Sequence, residues 1–259
     1  MHDLVHYLLG AGSGMLVGFV LALVGGGGSI LAVPLMVYVV GVQSPHIAVG
    51  TSALAVAVSA ATGLANHAAA GNVNWRCASM FAASGVIGAL LGSTAGKAFD
   101  GRRLLFLFAF VMIAVGVMML RSREQAEAPH AECNRTNAPK VIGYGALTGA
   151  FSGFFGIGGG FLIVPGLVAA SGMPLINAIG SSLVSVFAFG ATTAINYAAS
   201  GLVDWLLAGA FIAGGLFGGL FGAAAVRRLS AHRKALSTIF ASLLFAVAGY
   251  VIWQSRTSW

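Results

Sequence analysis

Two stretches of this chain combine residues that disrupt helices with an apolar context that demands them. GGGGSILAVP starts at Gly25 and GIGGGFLIVP starts at Gly156. Glycine costs a helix interior about 1 kcal/mol and proline about 3 kcal/mol. Glycine also lets successive N–H groups converge on an anion, and a helix that restarts after such a run turns its positive end to the same point. The chemistry expected of Gly25, Gly26, Gly27 and Gly28, and of Gly156, Gly158, Gly159 and Gly160, is therefore backbone donation to a small anion. Close helix packing through small residues is the competing reading. A nucleotide loop is excluded, because GxxxxGK[ST] does not occur.

Other polar residues recur in the same order after each run. Thr51 and Ser52 lie in AVGTSALAV, and Ser181 and Ser182 lie in AIGSSLVSV. Such hydroxyls donate to an oxyanion, cap a helix end, or back-bond to the preceding turn. Asn66 and Asn196 follow late in the same helices. A buried amide must find partners, either a solute or a neighbouring helix. His67 adjoins Asn66 and is the ionisable side chain expected inside a span away from its ends. It is a candidate proton relay, with simple packing as the alternative, since its counterpart is Tyr197. The acidic residues, Asp3, Asp100, Glu124, Glu127, Glu132 and Asp204, all fall in expected loops or near interfaces. Sodium sites and proton relays usually carry a carboxylate at membrane depth, so cation transport is disfavoured. An anion would be held by backbone, hydroxyl and amide donors, aided by Arg76 or Lys97 at a mouth. Cys77 and Cys133 give neither a disulfide framework nor a metal spacing, and no cofactor or metal is expected.

The elements that must position these groups follow from composition. Of 259 residues, 58% are hydrophobic and 7% charged, and the mean hydropathy is +0.94. Soluble domains carry roughly 25% charge. The chain is expected to be an all-α polytopic membrane protein, with apolar segments at 4–42, 47–71, 75–97, 103–121, 141–171, 177–200, 204–227 and 233–254. Continuous apolar runs of this kind do not fit a β-barrel. The opening MHDLVHYLLG lacks the cationic start of a cleavable signal peptide. The net charge of +7 collects at segment ends, where topology and anionic lipid account for it; no nucleic-acid partner is expected.

The chain reads as a sequence written twice. The glycine runs and their prolines coincide at an offset of 131, and NHAAAGNVNW (66–75) matches NYAASGLVDW (196–205) at an offset of 130. Gly85, Gly88 and Gly92 fall on Gly215, Gly218 and Gly222, which suits close-packing surfaces. The expected organisation is a first membrane repeat at 1–120, a polar linker at 121–140 and a second repeat at 141–259, each repeat of four segments opening with a Gly-broken, discontinuous or re-entrant helix. Segment 4–42 would make a helix of roughly 58 Å, about twice the hydrocarbon thickness. If the glycine break turns the chain back, the repeats are inverted. Arg76, Arg121, Arg123, Arg135, Lys140, Arg227, Arg228, Arg233 and Lys234 then share one side, against Lys97, Arg102, Arg103 and Arg256. The positive-inside rule favours this arrangement over parallel repeats, with the linker cytoplasmic and both termini outside.

The doubled pattern of a glycine-broken helix ending in Pro, then GTS or GSS, then a late Asn and an xGxVxW turn resembles the TauE/SafE sulfite exporter family. The resemblance covers nearly the whole chain outside the linker. It implies an inner-membrane, multi-pass permease for a small anion such as sulfite or an organosulfonate, usually in the direction of efflux. The halves differ at Gly26 against Ile157 and at Ser29 against Gly160. Other small anions, thiosulfate or a carboxylate, are the nearest alternatives, and a non-transporting assembly subunit is a different class. A membrane-embedded enzyme is not expected, because His67 has no acidic or Cys companion on its segment. The expected partners are the anionic solute and membrane lipid, with a homodimer left open.

Overall fold

The computed structural model describes residues 2–121, 133, 137–229, 242 and 244–254. Among the described residues every regular element is helical. Helix α1 (His2–Val24) runs into a 3-10 helix (Gly25–Leu31), a single turn α2 (Ala32–Pro34) and a π-turn (Leu35–Val39). Then come α3 (Pro45–Ala69), α4 (Trp75–Ala98), α5 (Gly101–Arg121), α6 (Ala138–Phe155), α7 (Gly160–Ser171), α8 (Leu175–Ala198) and α9 (Trp205–Leu229). A last helix, α10, spans Leu244–Gln254. Among the described residues five helices are long and apolar enough to cross a membrane: Leu4–Ala22, Pro45–Ala69, Trp75–Ala98, Ile176–Ala198 and Trp205–Gly222. The expected segment 141–171 divides into α6 and α7. The expected linker and the start of the last segment lie largely outside the described residues.

Helix association in lipid gains nothing from the hydrophobic effect, so backbone proximity and dispersion must supply the contact. Glycines provide it here. A Cβ at Gly88, Gly92 or Gly96 of α4 would strike the carbonyl oxygen of Ala146, Ala150 or Phe154 of α6. Conversely, one at Gly145, Gly149 or Gly153 of α6 would strike Phe81, Gly85 or Ala89 of α4. Both series ascend together, so α4 and α6 run in the same direction with their backbones touching. Helices α1 and α9 pack alike: Gly14 and Gly18 meet Phe211 and Gly215, while Gly214, Gly218 and Gly222 meet Ala11, Met15 and Phe19. Helices α3 and α8 cross the centre in opposite directions, with Gly63 on Leu183, Gly190 on Ala53 and Ala57, and Gly50 on Tyr197 and Leu202.

Loop residues cap the ends. The Asn74 side chain accepts the Cys77 amide at 3.2 Å at the start of α4. Asp204 accepts the Leu207 amide at 3.0 Å at the start of α9, and Asp100 accepts the amides of Arg102 and Arg103 at the start of α5. Two of the acidic residues, Asp100 and Asp204, thus serve as helix caps. The two cysteines correct the sequence reading: Cys77 and Cys133 form a disulfide, with Cα atoms 5.5 Å apart. Their separation of 56 residues carries no local signal. The pair forms because α4 and α6 run side by side in one direction, which brings the residues preceding α6 to the start of α4.

If these contacts hold the bundle, Gly88→Val and Gly218→Val each destabilise the protein by about 1–3 kcal/mol through overpacking. Gly143→Ala and Gly209→Ala, where a Cβ meets nothing within 4 Å, leave stability unchanged or raise it by up to about 1 kcal/mol. Thermal unfolding in detergent, followed by fluorescence, separates the two classes.

Candidate functional site

The second glycine run is a true chain reversal. Gly156, Gly158 and Gly159 have φ of 69°, 65° and 65°, a left-handed geometry that only glycine adopts at little cost. The Ser152 carbonyl accepts the amides of Gly156 and Ile157 at 2.8 and 3.3 Å, and the Gly159 carbonyl accepts those of Leu162 and Ile163 at 2.9 and 3.0 Å. Gly159 is the N-cap of α7 and offers no side chain to it. The amides of Gly158, Gly159 and Gly160 have no acceptor among the described residues. This junction is central. A Cβ on Gly158 would meet Val56 of α3 and Val186 of α8, residues at equivalent places 130 apart. One on Gly156 would meet Val49, and one on Gly159 would meet Ser152 and the Thr148 carbonyl.

The first run differs. Gly25–Leu31 continues as a 3-10 helix, which pairs its amides internally. Gly28 lies on the backbone of Val20 and Leu21. The sequence left the equivalence of the two runs open at Gly26 against Ile157 and Ser29 against Gly160; the structure gives them different backbones, one wound as a 3-10 helix and one turned through left-handed glycines.

The four hydroxyls all have protein partners. Thr51 Oγ1 accepts the Asp204 amide at 3.0 Å, and Ser181 Oγ accepts the Asn74 amide at 2.9 Å. Each therefore ties a central helix to the loop that starts α9 or α4. Ser52 donates to the Val49 carbonyl at 3.1 Å, and Ser182 to the Ile179 carbonyl at 2.7 Å. All four residues are buried.

The two asparagines diverge. Asn196 Nδ2 donates to Ser93 Oγ at 2.6 Å and Thr94 Oγ1 at 3.1 Å. Lys97 Nζ donates to the Asn196 carbonyl, to Asn196 Oδ1 and to Ser200 Oγ at 3.0, 2.8 and 2.8 Å. It also sits 5.9 Å from the Tyr197 ring centroid. This cation lies at the carbonyl end of α8, where the helix dipole favours it. Asn66 is exposed, and its side chain has no partner among the described residues. His67 lies in the last turn of α3, not deep in the span as its sequence neighbours suggested, because α3 stops at Ala69. Its Nδ1 is buried without a hydrogen-bond partner, 3.3 Å from the Cβ position of Gly180. Ser152 went unnoticed in the sequence. Its signal was a hydroxyl four residues before the run, where the first half has Leu21. Among the described residues no three His, Cys, Asp or Glu side chains group as metal ligands.

Comparison with known proteins decides what kind of molecule this is. The family model for the sulfite exporter TauE/SafE matches residues 10–251. The chain belongs to the TauE/SafE sulfite exporter family. A "Probable membrane transporter protein" of Xylella fastidiosa (strain 9a5c) is 55% identical over 250 residues, 95% of either chain. The "Probable membrane transporter protein YunE" of Bacillus subtilis (strain 168) is 26% identical over 262 residues, covering 93% of this chain and 95% of that protein. No solved structure gives a significant match. This TauE/SafE protein is thus a membrane transporter and not an enzyme, and its five apolar helices suit a bilayer.

The asymmetry between the asparagines is testable. Asn196→Leu strips the Lys97 ammonium of its side-chain amide acceptor and costs about 1.5–3 kcal/mol, the scale for a hydrogen bond to a charged group. Asn66→Leu changes stability by less than about 0.5 kcal/mol. Thermal unfolding of the two purified variants checks this; equal losses would mean that Asn66 is also bonded.

Proposed function

We propose that this TauE/SafE transporter is a permease that moves a small oxyanion, sulfite or an organosulfonate first, outward across the inner membrane. The observation that carries the reading is the reversed backbone at Gly156–Gly160, whose free amides sit between α3 and α8. Unpaired backbone groups at membrane depth cost several kcal/mol unless they are buried in protein or line a wet cavity. An anion bound during transport would meet that need. Lys97 at one end of α8, opposite the end where His67 lies beside Gly180, supplies positive charge towards a mouth.

The halves 1–120 and 141–259 are read as inverted repeats joined by the linker, expected on the cytoplasmic side with both termini outside; the Cys77–Cys133 disulfide counts against that side, since such bonds are rare in the cytosol. The antiparallel course of α3 and α8, which are equivalent in sequence, supports the inverted relation. So does the reciprocal packing of α1 on α9 and α6 on α4. Inverted repeats place a solute site at the interface between them. Valines close the junction in this structure, so passage requires α7 to part from Val56 and Val186. Pro165 inside α7 removes one rung of that helix's hydrogen-bond ladder and eases such movement. The remaining site residues, Gly25–Gly28, Thr51, Ser52, Ser181, Ser182 and the two asparagines, flank or brace the path. His67 is the titratable group that would carry a proton if transport is coupled to one.

Purified protein in liposomes should take up [35S]sulfite, with thiosulfate and carboxylates as competitors that rank the solute. Gly158→Val, which places a methyl-bearing side chain on a left-handed residue between two valines, should lower flux more than about tenfold per folded molecule. Full flux from a folded Gly158→Val protein would count against the junction as the path. His67→Gln should flatten the pH profile of uptake; an unaltered profile would leave His67 a packing residue.

A further inference from the structure

The buried hydroxyl of Ser152 is one that the bundle does not use. Most helical hydroxyls here donate to a carbonyl of the preceding turn, as Ser52, Thr148, Ser171 and Ser182 do. Ser152 is fully buried (0% exposed), and its Oγ has no partner. It lies 3.0 Å from the position a Cβ on Gly159 would occupy. Gly159 is the N-cap of α7, a helix of 12 residues. The hydroxyl therefore lies beside the residue that opens α7, whose neighbouring amides also lack acceptors.

The first half holds a counterpart of this contact without its chemistry. At the offset of 131, Gly28 corresponds to Gly159 and Leu21 to Ser152. A Cβ on Gly28 would strike the backbone of Leu21 and Val20, whereas one on Gly159 would meet the Ser152 side chain. Leucine offers no donor, however, and the local backbone is a wound 3-10 helix.

Charge narrows the ligand further. The side chains that a Cβ on Gly156, Gly158 or Gly159 would meet are Val49, Val56, Val186 and Ser152. The donors are neutral and the walls apolar. Lys97 is engaged at one end of α8, and His67 lies beside Gly180 near the other. The cost of removing an ion from water rises with the square of its charge, so four neutral donors compensate one negative charge more fully than two. A cradle of this size without a cation favours a monoanion over a dianion.

We propose that Ser152 Oγ–H and the amides of Gly158, Gly159 and Gly160 form a single, one-sided cradle for a monoanionic –SO3⁻ group, and that the first glycine run binds no ion. This rests on the oxyanion-permease reading and specifies its site and charge class. An oxyanion of this kind offers three oxygens to four donors. Hydrogensulfite and an alkyl sulfonate qualify; sulfate does not.

The test uses the full chain in liposomes, with [35S]sulfite as the transported probe and methanesulfonate and sulfate as competitors. Wild-type uptake should be inhibited by methanesulfonate and be insensitive to equal sulfate. Ser152→Ala should raise KM about tenfold or more, the scale for a hydrogen bond to a charged group. Its thermal midpoint should hold or rise, since the bundle loses no bond. Ser152→Cys, a weaker donor, should fall between. Equilibrium dialysis of [35S]sulfite against the detergent-purified protein should saturate at about one ion per chain, as one cradle requires. An unchanged KM in Ser152→Ala, sulfate competing as well as methanesulfonate, or two ions per chain would overturn the cradle while leaving the permease intact. A wild type that moves no anion would remove the permease reading itself, and the cradle with it.

Discussion

A hydrocarbon environment offers no water to a peptide group, and that constraint orders everything in this molecule. Each amide must find its acceptor inside the protein. Helices meet the requirement along their length, which is why all regular structure among the described residues is helical. They do not meet it at their ends. Loop side chains close some of those ends: Asn74, Asp100 and Asp204 accept the first amides of α4, α5 and α9, and Lys97 donates to the Asn196 carbonyl near the end of α8. Helices α3, α6 and α8 open without a side-chain cap, as α7 does, and α7 differs in opening at the centre of the bundle, beside Val56 and Val186.

The same constraint explains what glycine does here. Along α1, α4, α6 and α9 it removes side chains so that two backbones touch, and the contacted atom is repeatedly a carbonyl oxygen. At Gly156, Gly158 and Gly159 it instead permits a left-handed path. One residue type serves two ends, and the spacing separates them. Glycines three or four apart on one helix face give packing ridges; near-consecutive glycines before a proline give a reversal. Gly25–Gly28 shows the limit of that rule, since four consecutive glycines are content in a 3-10 helix. Conformational freedom allows a reversal without compelling one.

This bears on what could be read from residues alone. The membrane class, the helical content, the close-packing role of Gly85, Gly88, Gly92 and their later counterparts, and the family all follow from composition and recurring motifs, because those signals are local and repeated. The fate of individual polar groups does not. Asn66 and Asn196 occupy matched positions, yet Asn196 is bonded because Ser93, Thr94 and Lys97 face it, whereas the residues at the matching offset are Ala223, Ala224 and Arg227. The hydroxyls of Thr51 and Ser181 find amides in loops more than a hundred residues away. The Cys77–Cys133 pairing depends on two helices running side by side. Each of these is set by a partner on a distant segment, which no window along one segment contains.

On the repeat reading proposed above, the two halves share what packs them together and differ where they meet. Reciprocal contacts need small residues at the same offsets in both halves, and both retain them. The centre lacks that requirement. Were both glycine runs anion cradles, two like charges would share an apolar medium, where repulsion at about 4 Å amounts to about 4 kcal/mol even at an effective dielectric constant of about 20. Replacing one hydroxyl by Leu21 and winding one glycine run into a 3-10 helix removes that repulsion. On the proposed single cradle, one half would hold the solute while the other gives it a neutral wall. A transporter built this way gains from symmetry in its scaffold, since both faces can open by the same movement, and from asymmetry at its core, since a single weakly held ion is easier to release than a pair.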